Sequence, residues 1–151
     1  MASIINADTS NGLKLTSDTT GQLDFQSAGS TKATIDTAGN LKFDSGYGSV
    51  ATAYGCRAWV NFNGTGTLAI RDSGNVSSVT DNGTGNYTVN FATNMPDIDY
   101  SVSGITAIEA NNNVFVAGAT DAPTVSAFRL NTRTTGNANF DAAIVYVNFI
   151  R

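Results

Sequence analysis

The chain has no histidine, one cysteine (Cys56), one glutamate (Glu109) and two prolines. Without histidine there is no Ser-His-Asp or Cys-His arrangement, and the commonest group for general acid/base work near neutral pH is missing. A single cysteine rules out an intrachain disulfide, so stability has to come from packing and assembly. Cys56 itself reads as a small apolar filler, because no histidine exists to activate it. Charge is also scarce: 13% of residues are charged, the formal net charge is -4, and the few Lys and Arg are dispersed. A phosphate-binding surface needs those cations clustered, so no nucleic-acid partner is expected. No apolar run is long enough to span a bilayer, and the opening Met1-Ala2-Ser3-Ile4-Ile5-Asn6 has neither a basic n-region nor an apolar h-region. The expectation is a chain made in a cytoplasm without signal-directed export and without membrane insertion.

What is present is enough for a core: 151 residues, 41% of them hydrophobic, allow one ordinary domain plus a small appendage. From Gly12 the sequence reads Leu13-Lys14-Leu15, Leu23-Asp24-Phe25, Thr34-Ile35 and Leu41-Lys42-Phe43, each alternating apolar with polar. That is the period of a half-buried strand. The stretches between, Thr19-Thr20-Gly21, Ala28-Gly29-Ser30 and Ala38-Gly39-Asn40, supply turn residues. Four such short strands carry too few large apolar residues to offset their ordering entropy alone, and with no disulfide the inference is self-association. A small sheet packed on the main domain is the alternative.

Asp44-Ser45-Gly46-Tyr47-Gly48-Ser49 is rich in Gly and Ser and marks the boundary. The division expected is a self-associating β-repeat segment over residues 1–45, a linker over 46–54 and a main domain over 55–151. In the main domain Ala58 to Phe62, Leu68 to Arg71, Tyr87 to Phe91, Tyr100 to Ser103, Val114 to Val116, Val125 to Leu130 and Ala142 to Ile150 are rich in β-branched and aromatic residues. They predict an all-β chain whose main domain is an antiparallel, jelly-roll-like β-sandwich. Tyr87, Val89 and Phe91 share a face opposite Thr88 and Asn90, whereas Ala142 to Ile150 is apolar on both faces. Such a strand is either central in the sandwich or covered by a neighbouring subunit.

Candidate chemistry is thin. Asp97 and Asp99 could form a pair of carboxylates, but Pro96-Asp97 before a strand reads better as a turn. Gly64-Thr65-Gly66-Thr67-Leu68-Ala69 matches a dinucleotide fingerprint in outline yet opens no helix, so a hairpin connection explains it better. Asp81-Asn82-Gly83 resembles part of a calcium loop but lacks the later ligands and closing glutamate, which leaves a turn. The Asn-x-Ser/Thr matches at Asn63, Asn75, Asn82 and Asn86 matter only for a eukaryotic secretory route. No catalytic or metal-binding residues and no cofactor are therefore assigned. Asn111-Asn112-Asn113, Thr134 to Asn139 and Asp81 to Asn86 are neutral, hydrogen-bond-rich loops suited to sugar hydroxyls, and equally to ordinary turns. No individual ligand-binding residue follows from that.

The run Gly12-Leu13-Lys14-Leu15-Thr16-Ser17-Asp18-Thr19-Thr20-Gly21-Gln22-Leu23-Asp24-Phe25, with Ala28-Gly29 and Ala33 to Leu41, resembles repeats in fibre proteins of tailed bacteriophages, particularly those of aquatic bacteria. Arg57 to Gly66, Asp81 to Phe91 and Met95-Pro96-Asp97 before Tyr100 look like the C-terminal domain of the same fibres. The resemblance implies a homotrimer located in the virion and assembled in the host cytoplasm. Its N-terminal part would attach to another virion protein of tail, baseplate or capsid, and its C-terminal domain would contact a host surface glycan or protein. This chain departs from the pattern in having no long shaft, chaperone or depolymerase region, which favours a short fibre, a distal tip or a capsid-surface fibre. Two functions are thus in view: a receptor-binding tail fibre, or a capsid decoration or head-fibre protein with a mainly structural role.

Overall fold

The structure, a computed structural model, describes residues 21–107, 114–118 and 121–151. Among the described residues there is no helix; all twelve elements are strands, and every paired strand is antiparallel. The chain divides into two compact units, Met1–Ala53 and Tyr54–Arg151. The expected strand at Leu13-Lys14-Leu15 and the loop Asn111-Asn112-Asn113 lie outside the described residues.

The first unit holds a four-stranded meander: β1 (Leu23–Ser27), β2 (Ser30–Ile35), β3 (Leu41–Phe43) and β4 (Ala51–Thr52). β4 falls inside the stretch read as linker and pairs with β3. Ala28 and Gly29 both have positive φ, so the β1–β2 connection is a two-residue turn whose twist suits a hairpin. The β2–β3 turn is organised by Asp36, whose Oδ1 accepts from the N–H groups of Ala38 (3.0 Å) and Asn40 (2.9 Å). Register then sorts the side chains. Leu23, Ile35 and Leu41 lie opposite one another, as do Phe25, Ala33 and Phe43. All six therefore share one face. Asp24, Thr34, Lys42 and Thr52 form a row on the other.

The second unit is one unbroken sheet of eight strands: β5 (Cys56–Asn63), β6 (Ala69–Gly74), β7 (Val76–Asp81), β8 (Asn86–Phe91), β9 (Ser101–Thr106), β10 (Val114–Gly118), β11 (Ala127–Thr134) and β12 (Val145–Ile150). Their order in space is β6-β5-β12-β9-β10-β11-β8-β7. Alternate residues turn inward: Ala58, Val60 and Phe62 from β5, Tyr87, Val89 and Phe91 from β8, and Val145, Val147 and Phe149 from β12 are all buried. Phe62 meets Tyr87 edge-on (centroids 5.0 Å apart), and Phe91 meets Phe149 likewise (4.9 Å), joining strands that are not ladder neighbours. The sheet thus folds over so that its halves face each other, a sandwich-like arrangement. β12 is central in the sheet, bonded to β5 on one side and β9 on the other, but only the face of Val145, Val147 and Phe149 is buried. Contrary to expectation its outward face, with Tyr146 43% and Ile150 38% exposed, is left uncovered.

The fold-over has a corner and a latch. Only Asn75 separates β6 from β7, so the two edge strands are consecutive in sequence. Asn75 has φ 54° and clamps the turn: its Oδ1 accepts from Thr93 N–H (2.7 Å) and its Nδ2 donates to Thr93 O (3.0 Å). At the latch, the Asp141 carboxylate accepts from Gly85 N–H (2.6 Å) and from the buried Tyr87 hydroxyl (2.8 Å). Burial, and secondarily Asp141, push the Tyr87 phenol well above its ordinary range. The ends of the unit also meet, Gly55 and Arg151 exchanging backbone bonds of 3.4 and 3.1 Å.

Candidate functional surfaces

The first unit inverts the usual relation between polarity and burial. Thr34, in the polar row, is 6% exposed and donates to Asp24 Oδ1 (2.7 Å). On the apolar face Phe25 is 43%, Ile35 40%, Leu41 52% and Phe43 45% exposed. Among the described residues of this unit, charge is confined to the polar side and the turns, where Lys32 pairs with Asp44 (2.7 Å) and Lys42 with Asp36 (2.9 Å). Fully burying a side chain of this kind is worth about 1.5–3 kcal/mol, so four residues left near half exposure leave about 3–5 kcal/mol unrealised per chain. Such a face is chemically suited to meeting another apolar face.

On the second unit the outward side of β5, β12 and β9 is the other distinctive surface. Trp59 lies opposite Asn148, and Tyr146 opposite Asn61 and Ile105. The diagonal relation sets the Trp59 and Tyr146 Cβ atoms roughly 7 Å apart. Trp59 is 40% and Tyr146 43% exposed. The indole lies across Gly74, where an added Cβ would sit 2.4 Å from Trp59 Nε1; only glycine lets the ring lie flat there. Hydrogen-bonding groups flank the rings: Ser103 donates to Asn148 Oδ1 (3.0 Å), and Asn61 Oδ1 accepts from Arg71 (3.4 Å). Sequence reading found both strands but not this surface, because the pairing of residues 59 and 61 with 148 and 146 is a property of register alone.

The sequence candidates resolve as local structure. Asp97 accepts from Asp99 N–H (2.9 Å) and pairs with Arg151, and these contacts, Arg151 first, hold its carboxyl below the usual range. Asp99 lines a shallow depression of about 240 Å³ with Tyr54, Ser101, Ile150 and Arg151. Gly64 to Leu68 is the β5–β6 hairpin connection, braced by Asn63 against Thr65. Asp81-Asn82-Gly83 opens the β7–β8 hairpin, with Gly83 N–H donating to Asp81 Oδ1 (2.8 Å). Among the described residues no group of three His, Cys, Asp or Glu is placed to hold a metal, and no helix is long and apolar enough to cross a membrane. Cys56 departs from its expected role. It is exposed, since the irregularity at Phe149/Ile150 pairs Ile150 with Cys56 and skips Arg57, leaving the thiol at the sheet's outer end.

The two described loops of those expected to meet sugars, Asp81 to Asn86 and Thr134 to Asn139, spend side-chain hydrogen bonds internally. Asn82 Nδ2 donates to Thr88 (2.8 Å), Asn137 Oδ1 accepts from Arg133 (2.8 Å), and Thr134 Oγ1 accepts from Ala138 N–H (3.3 Å). Comparisons with protein-family models, with curated proteins and with solved structures find no match to this chain.

Proposed function

We propose that the chain is a structural fibre protein of a virion, acting as a homotrimer. Its first unit joins the copies and attaches them to another virion protein, and its second unit contacts a host surface receptor, a glycan in the first instance. The observation that carries this reading is the half-exposed apolar face of the first unit, Phe25, Ile35, Leu41 and Phe43. A sheet this small, with no disulfide, gains its missing burial by packing against identical faces of other copies. The phage-fibre resemblance of Gly12 to Leu41 and of Arg57 to Phe91 supports the same reading. Three linked sites raise a weak contact by about 10² to 10⁴ in avidity, so no deep pocket is required.

Sedimentation of the full chain at micromolar concentration should give a trimer, and a stable monomer would refute the proposal. Virions lacking the protein should adsorb poorly to host cells. If adsorption is unchanged and the protein maps to the capsid face, the decoration or head-fibre role is the correct one.

A further inference from the structure

We propose that the outer face of β5, β12 and β9 is a binding platform for a neutral, pyranose-based glycan, with Trp59 and Tyr146 as stacking surfaces and Asn61, Asn148 and Ser103 as hydrogen-bonding partners. The inference rests on the receptor-binding reading above and gives it a location: a sheet face, not the loops.

The argument is one of complementarity. A pyranose presents a face of C–H groups and a rim of hydroxyls. The first packs on an aromatic ring, and the second requires uncharged donors and acceptors. Trp59 and Tyr146 supply two half-exposed rings on neighbouring strands of one sheet face, each with an amide beside it across the ladder. Asn148 Oδ1 accepts from Ser103 and Asn61 Oδ1 from Arg71, so each amide keeps its two N–H donors as the groups it can offer a sugar hydroxyl. Arg71, bonded to Asn61 and to Ala143 O (2.6 Å), and Asp72, opposite Asn61 in the register, bring one charge of each sign to the β6 edge, so the patch has no net charge to select an anionic sugar.

A contact between copies fits this face less well. It would have to bury amide groups that a second identical face matches only by chance, and an unmatched buried amide is costly. The first unit, with six apolar residues in register on one face, has no such obstacle.

Trp59 is the only tryptophan, so its emission reports on the site directly. The full chain is titrated with neutral hexasaccharides of glucose, galactose and mannose, with a sialylated oligosaccharide as the charged comparison. At least one neutral probe should change Trp59 emission saturably, and the sialylated one should not. Trp59→Ala and Tyr146→Ala should each weaken binding about tenfold by calorimetry, the loss of one stacking contact. Trp59→Phe, which keeps a ring over Gly74, should retain part of it and guards against misfolding of the alanine variant. The proposal is overturned if no neutral probe saturates, or if Tyr146→Ala binds as the parent does. It is equally overturned if either alanine variant lowers the association state in sedimentation, since the face would then be a contact between copies. Any of these results leaves the trimer and its first-unit interface to be judged by their own test.

Discussion

Tyr87→Phe removes a single oxygen from the middle of the second unit's latch. The lost group is a buried hydroxyl donating to the Asp141 carboxylate at 2.8 Å. A hydrogen bond to a charged group is worth about 1.5–3 kcal/mol, and Asp141 retains only Gly85 N–H as its other partner in the latch. Phenylalanine fills the same volume against Phe62, so no packing loss is added. The expected cost is about 2 kcal/mol at pH 7, or roughly 8–16 °C in melting temperature for a unit of this size. Alkaline pH supplies a second signature. The folded-state pKa of Tyr87 is raised, so its contribution is whole below the unfolded value near 10 and is lost as pH rises beyond it. Above pH 10 stability should fall by about 1.4 kcal/mol per pH unit for this residue, and Tyr100, raised by burial, adds to the slope. Chemical denaturation of Tyr87→Phe, from pH 7 to 11, reads both. A loss below about 0.5 kcal/mol at pH 7, or an unchanged alkaline slope, would refute the latch as the cause.

Asn75→Ala should cost about 2 kcal/mol by denaturation, having lost both Thr93 bonds and kept a positive φ; Asn75→Gly should recover only the backbone share. Gly85→Ala should cost about 3 kcal/mol, because at φ 58° its Cβ would lie 2.5 Å from Phe140 N and 2.6 Å from Thr132 O. In the proposed trimer, Phe25→Asp and Ile35→Asp should each lower the association state in sedimentation, since each would place an unpaired charge in the seam the first-unit faces form. Asp36, held down by Lys42 and then by Asn40 N–H, contributes stability that is complete above the ordinary carboxylate pKa of about 4 and is lost only as pH falls well below it. The β2–β3 turn should therefore persist by NMR at pH 3 in the parent and loosen in Asp36→Asn. Incubation with host capsule or lipopolysaccharide should leave chain length unchanged; shortening that disappears in Asp97→Asn or Asp99→Asn would establish a hydrolase.

The strands were legible wherever alternation was strong. Tyr87 to Phe91 and Ala58 to Phe62 lie within β8 and β5, with the inward residues those the pattern selects. β7 was missed because Val76-Ser77-Ser78-Val79-Thr80-Asp81 offers two apolar residues, of which only Val79 is buried. β4 is two residues long, too short for any period. Ala142 to Ile144 read as strand but precede β12; their apolar character serves the latch connection, where Ala142 is buried and its carbonyl receives Gly64 N–H (2.9 Å). The latch, the corner and the aromatic platform were invisible for a common reason. Each joins residues whose adjacency follows from strand order, and alternation along one strand carries no information about which strand lies beside it.

The pairing of Gly55 with Arg151 makes the second unit a cassette. Because entry and exit points lie side by side, a bridge of a few residues would turn the chain of this unit into a ring without bending any strand. The ring could then be reopened at the β5–β6 connection, or the whole unit set into a surface loop of an unrelated carrier, with the sheet order unchanged. An architecture of that kind is portable: the unit can be moved between carriers by recombination, the join falling where Gly55 and Arg151 already touch.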